Sequence, residues 1–182
     1  MFFPEKEIRL KDGRTAILRS PLPSDAEAAL EFMKMTAAET PFLLRSPEEC
    51  TLTVTEEEKF LSRFPSDPNA AMILCFVDGV FAGNCQIVRK NKLKNRHRAS
   101  IGIALKREFW GLGIGTALFR EMIAIAEGWD LMQIELEVIE GNDRAMALYR
   151  KMGFETVSYV PNAIRMPNGS FAKEYVMVRP VR

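Results

Sequence analysis

The chain opens on alternating apolar and polar positions. From Glu7 to Arg19 this pattern gives two short strands around Asp12-Gly13, a dipeptide whose tolerance of positive φ suits the twist of a hairpin. Ser24-Asp25 then offers an N-cap, and Ala26, Ala29, Leu30, Met33 and Ala37 recur at helical spacing to about residue 39, before Pro41 forbids continuation. Thr55 with Glu58 forms a capping box for a second helix, which carries Phe60, Leu61 and Phe64 and stops at Pro65. Two apolar strands from Ala70 to Val88 flank Asp78-Gly79, a second hairpin signal. A basic connection, Lys90 to Arg98, leads to a strand over Ala99 to Leu105. Residues 111 to 127 read as a glycine-rich turn and a helix with Ile114, Leu118, Met122 and Ile125 on one face. Gln133 to Val138 alternates strictly as a strand. Asn142 or Asp143 caps a helix to about Met152, which Gly153 terminates, and Phe154 to Val160 and Lys173 to Arg179 make a last strand pair joined through Pro161 and the turn Pro167-Asn168-Gly169.

This order of hairpin, two helices, strand–helix–strand–helix and closing strands predicts an α/β domain with a mixed sheet. The 182 residues suffice for one domain, expected over 1–182, and 47% apolar positions suffice for its core. With 25 Lys+Arg against 24 Asp+Glu the formal net charge is only +1, so nothing global favours nucleic acid or a membrane surface, and a small or locally selected ligand is expected. Cys50, Cys75 and Cys85 form no C-x-x-C pair and lie far from the single His97, so no metal site is expected. The thiols read as small buried hydrophobes of a reducing, cytoplasmic compartment. The apolar opening is three residues long and the longest apolar run, Ala70 to Val77, falls far short of a membrane span.

The chemistry concentrates between Ile101 and Leu118. Gly111, Gly113 and Gly115 stand between a strand and a helix start, where backbone amides can turn toward a ligand and the first helical turn leaves donors unpaired. That pattern cradles a phosphate or pyrophosphate. The preceding strand alternates Ile101, Ile103 and Leu105 with Ser100, Gly102 and Ala104, leaving one face nearly bare for a slender ligand. A nucleoside triphosphate loop would need Gly-Lys-Ser/Thr, whereas Thr116 follows Gly115 directly. A dinucleotide fold would find its acid in Glu135, but the glycines step by two and too little chain remains for the second half.

The run Ile103-Ala104-Leu105, Gly111-Leu112-Gly113-Ile114-Gly115-Thr116, followed by Leu136-Glu137-Val138, Asn142, Ala145, Leu148-Tyr149 and Met152-Gly153-Phe154, resembles the core of the GNAT superfamily of N-acetyltransferases. The resemblance implies a mixed, mostly antiparallel central sheet flanked by helices, with a strand–helix–strand core for acetyl-CoA. It places the pyrophosphate on the amides of Gly111, Leu112, Gly113, Ile114, Gly115 and Thr116, and the pantetheine against the backbone of Ile103, Ala104 and Leu105 and the side chain of Asn142. Tyr149 becomes the acid that protonates the departing thiolate. One position departs from the pattern: Trp110 stands where the family often has Gln or Arg. The implied function is transfer of an acetyl group from acetyl-CoA to a primary amine of a small molecule or peptide N-terminus by direct attack, in a homodimer. An acyl-CoA-sensing module without a competent base is the alternative.

The base is less defined by the residues. Glu135 and Glu137 share one face of their strand and could hold a relaying water, though a solvated strand face explains them equally. His97, among Lys92, Lys94, Arg96 and Arg98, is the one imidazole of the chain and reads as a surface residue. Arg144, Arg150 and Lys151 read either as partners of the adenosine 3′-phosphate or as surface charges.

Overall fold

Both hairpin signals close hairpins in the computed structural model, which describes residues 1–181. Strands β1 (Lys6–Arg9) and β2 (Thr15–Arg19) pair across the Asp12-Gly13 turn, and β3 (Ala70–Val77) and β4 (Val80–Arg89) pair across Asp78-Gly79. Between the hairpins lie helices α1 (Ala26–Glu39) and α2 (Val54–Arg63). Asp25 does sit at the N-cap of α1, but its side chain does not cap the helix. Its carboxylate instead accepts from Leu22 N at 2.7 Å and from the Arg19 guanidinium at 2.7 Å, which ties the helix start to β2. The capping box of α2 is Thr53–Glu56, two residues earlier than the Thr55–Glu58 expectation. The two boxes overlap in sequence, and the upstream one adds backbone bonds while Leu61 and Phe64 still turn inward.

The second half supplies β5 (Arg98–Leu105), α3 (Ile114–Gly128), β6 (Gln133–Ile139), α4 (Asp143–Lys151), β7 (Glu155–Arg165) and β8 (Phe171–Pro180). Strand β7 does not end at Val160. It continues through an irregularity between Val160 and Ile164, with Asn162 at φ 51°. Pro161 is tolerated there because β7 is the outermost strand and needs no further ladder donor on its free side.

The eight strands form one sheet in the order β1-β2-β3-β4-β5-β6-β8-β7. Every adjacent pair is antiparallel except β5 and β6. Alternation along β3 and β4 feeds two cores: Ala71, Ile73, Cys75 and Cys85 pack under α3 and α4, while Met72, Leu74 and Phe81 pack under α1 and α2. The sheet is therefore a mostly antiparallel layer with helices on both faces. Among the described residues no helix is long and apolar enough to cross a membrane.

The parallel pair positions the site. β5 and β6 pair only over Arg98–Ser100 and Gln133–Glu135, and then part. Beyond that point β5 stays bonded to β4 as far as Leu105, and β6 stays bonded to β8 as far as Ile139. Each strand thus turns one unpaired backbone edge into a wedge-shaped gap.

Candidate active site

A cleft of about 590 Å³ fills this gap. Its walls come from both sides of the sheet: β5, the glycine turn, α3 and α4 on one side, and the C-terminal end of α1 with the segment after it on the other. Of the residues marked in the sequence, Ile103, Ala104, Leu105, Gly111, Gly113, Ile114, Gly115, Thr116, Glu137, Asn142 and Tyr149 all line it. Leu112 and Glu135 do not. The Leu112 side chain packs against the core beneath α3 and its carbonyl accepts from Lys11 N at 3.1 Å.

At the glycine end, Gly111 and Gly113 adopt φ of 82° and 99°, which side-chain-bearing residues rarely accept. The first α3 hydrogen bond runs from Ala117 N to Gly113 O at 3.1 Å, so the amides ahead of Ala117 have no helical acceptor and the positive end of the helix dipole faces the cleft. A methyl group on Gly115 would come within 2.9 Å of Leu148, so the third glycine serves the close approach of α3 to α4. Asn142 caps α4, its Oδ1 accepting from Ala145 N at 3.3 Å, and the residue lines the cleft. Trp110 is pinned: its Nε1 donates to Leu105 O at 2.8 Å, and its ring carries the Arg144 guanidinium at 4.7 Å.

Tyr149 stands on α4 against the rings of Phe119 and Phe154, with centroids 5.5 Å and 6.2 Å away. It is 8% exposed and reaches the cleft. Burial, with Cys85 nearby, pushes its phenol up to about 12, so the hydroxyl keeps its proton at neutral pH.

Across the gap, Glu137 pairs in register with Val176 and Glu174 with Ile139, so the two glutamates are diagonal neighbours on one face of the sheet. Both line the cleft. Burial and the Glu137 charge raise the Glu174 carboxyl above its ordinary range. The expected water shared by Glu135 and Glu137 is corrected by the placement of Glu135. It sits at the closed end of the β5–β6 pair, opposite Ser100, bonded to the Arg98 guanidinium and accepting from Gln133 Nε2 at 2.9 Å. Burial pushes this carboxyl up, but Arg98 and Gln133 outweigh it and hold it below the usual range, so Glu135 is a poor proton acceptor. His97 is exposed outside the cleft, its carbonyl accepting from Met132 N at 2.8 Å.

Sequence reasoning missed three contributors. Glu174 becomes visible only once β8 is known to lie beside β6. Lys11 reaches the glycine turn from the β1–β2 hairpin. The segment Phe42, Leu43 and Leu44 forms the apolar wall next to Thr36 and Thr40. None belongs to a local pattern.

A family model described as the acetyltransferase (GNAT) family matches residues 35–154, and the chain belongs to that family. It is 29% identical over 118 residues to the L-amino acid N-acetyltransferase AaaT of Escherichia coli (strain K12), covering 64% of this chain and 72% of that protein. The structure resembles that of an acetyltransferase of the GNAT family from Streptococcus pneumoniae, at a TM-score of 0.86 and 28% identity over 91% of this chain and 99% of that one. A GNAT superfamily phosphinothricin acetyltransferase from Sinorhizobium meliloti, solved in complex with AcCoA, shares the fold at a TM-score of 0.78 and 20% identity, covering 91% of this chain and 88% of that one.

Proposed function

We propose that this protein transfers an acetyl group from acetyl-CoA to a primary amine of a small molecule or peptide N-terminus by direct attack. The observation that carries the reading is the gap between β5 and β6, continuous at one end with a turn of unpaired amides. A pantetheine arm presents amides as a strand does, and the free edge of β5 offers the matching partners. The positive-φ glycines leave room for the linked phosphates where any side chain would stand. Bound there, acetyl-CoA supplies an activated acetyl group on a thiol leaving group.

In this reading the amides of Gly111 to Thr116 hold the pyrophosphate. The Ile103–Leu105 edge and the Asn142 amide orient the pantetheine, and a free backbone N–H of the opened sheet polarises the thioester carbonyl. Tyr149 Oη holds the proton for the sulfur. A phenol pushed up to about 12 by burial is a weaker acid than a thiol ordinarily near ~8.5, so the proton passes to sulfur as the C–S bond breaks, where charge develops beside the hydroxyl.

On the opposite side, Glu137 and Glu174 attract the ammonium form of the acceptor and take its proton. Deprotonating an α-amine near ~8 at pH 7 costs about 1.4 kcal/mol, against about 4.6 for a lysine-type amine near ~10.4. The raised carboxyl of Glu174 is the better base of the pair. Direct attack is supported by the thiols: all three cysteines are buried and free, none lines the cleft, and burial raises Cys75 and Cys85 strongly. A small α-amine acceptor agrees with the activity named for the Escherichia coli relative.

The reading takes the chain as one domain over 1–182, supported by the single sheet that runs through it; Arg182 lies outside the described residues. A homodimer is supported by the outer strand, where Val157, Tyr159 and Val160 of β7 and Phe171 of β8 are exposed. Free thiols support a cytoplasmic setting. The deciding experiment incubates the protein with acetyl-CoA and a panel of amines, with mass detection of product. An acetylated amine supports the reading, whereas coenzyme binding without turnover on any amine returns the chain to the sensing-module alternative.

A further inference from the structure

We infer that Lys11 and Arg144 form a two-cation clamp on the pyrophosphate, with Trp110 as the residue that positions Arg144. The inference rests on the reading of the glycine turn as the coenzyme cradle. Two cationic residues lie beside the turn, one near each positive-φ glycine. A methyl group built on Gly111 would lie 3.8 Å from Arg144 Nη2, and one built on Gly113 would lie 3.9 Å from Lys11 Cγ. Both residues line the cleft. Neither has a carboxylate partner among the described residues: Asp12, next to Lys11, is taken by Arg14, and Arg144 touches only the face of Trp110.

Each cation is held by backbone or ring instead of by an acid. Lys11 N donates to Leu112 O at 3.1 Å, which fixes the root of the lysine against the turn. Trp110 is fixed at its own end by the 2.8 Å bond from Nε1 to Leu105 O, and the Arg144 guanidinium lies 4.7 Å from its ring. A guanidinium stacked on a fixed indole loses little freedom when it meets an anion. Where the family often carries a polar or basic side chain three positions before the middle glycine, this chain carries an aromatic platform that borrows the charge from α4. Two uncompensated cations facing linked phosphates also explain how a protein of net charge +1 gathers a polyanionic donor: the field is local.

The test is calorimetric titration of the full chain with coenzyme A, 3′-dephospho-coenzyme A and pantetheine. Lys11→Ala and Arg144→Ala are each expected to weaken both phosphate-bearing ligands about tenfold and to leave pantetheine unchanged. Lys11→Arg should restore affinity. Trp110→Leu should match the loss of Arg144→Ala and add nothing on top of it, while Trp110→Phe, which keeps a ring face, should stay within about threefold of the parent. At 1 M salt, where the screening length falls to about 3 Å, the differences should collapse. Tight coenzyme A binding that is equal in parent, Lys11→Ala and Arg144→Ala overturns the clamp alone. So does a loss that disappears with 3′-dephospho-coenzyme A, since the charge would then serve the 3′-phosphate. A parent protein that binds coenzyme A no better than pantetheine brings down the cradle itself, and the clamp with it.

Discussion

The two ends of the cleft are built by different means. The end toward α3 is led by main chain, the amides of a glycine turn, the open edge of β5 and a helix dipole, with the side chains of Lys11, Trp110 and Arg144 beside them. The end toward α1 is made of side chains brought from distant parts of the sequence, with Thr36, Thr40 and Phe42 on one wall and Glu137 and Glu174 on the other. In the proposed reading the first end takes the coenzyme and the second selects the acceptor.

The sharpest way to break this division is Gly113→Glu, which puts bulk and negative charge at φ 99° beside the turn. Coenzyme A affinity should fall about 100-fold or more by calorimetry, a loss of at least about 2.7 kcal/mol. Unchanged affinity would remove the main-chain end from coenzyme binding. Tyr149→Phe lies at the junction of the two ends and should lower kcat about 100-fold while coenzyme A affinity stays within about twofold. Equal turnover would take the hydroxyl out of the mechanism. At the side-chain end, Glu174→Gln should lower kcat/KM about tenfold and leave coenzyme A binding untouched.

The pH profile sharpens the point further. A base is active above its pKa, so the raised Glu174 carboxyl places the acidic limb of the rate at higher pH than an ordinary glutamate would. Glu137→Gln removes the neighbouring charge and should move that limb to lower pH; a limb that stays in place would separate the two carboxylates. The smallest effect on activity is expected from Asp25→Ala, which unties α1 from β2 and costs about 2 kcal/mol of stability in thermal or urea unfolding. Burial pushes Asp25 up, but Arg19 and Leu22 N outweigh it and lower its pKa. The contribution is therefore present above about pH 3.9 and lost as pH falls through the folded value, so parent and variant should converge in acid.

The same division explains what the sequence made legible. Gly111, Gly113, Asn142 and Tyr149 belong to patterns whose meaning is local: a turn needing positive φ, a cap, a helix face. All four line the cleft. Glu135 and Glu137 look identical along an alternating strand, and only the position at which β5 leaves β6 separates an ion-paired residue from a cleft residue. That position is a long-range property. Glu174 needed the insertion of β8 between β6 and β7, and Lys11 needed the docking of the first hairpin beside α3. The shifted start of α2 has a local cause, since Thr53 and Thr55 offer competing boxes and the capping pattern alone does not rank them.

The parting of β5 from β6 makes a passage through the sheet, with Tyr149 and Leu148 on one side and Thr36 and Glu174 on the other. In the proposed reading donor and acceptor take opposite doors and meet at the seam, so neither has to leave before the other arrives.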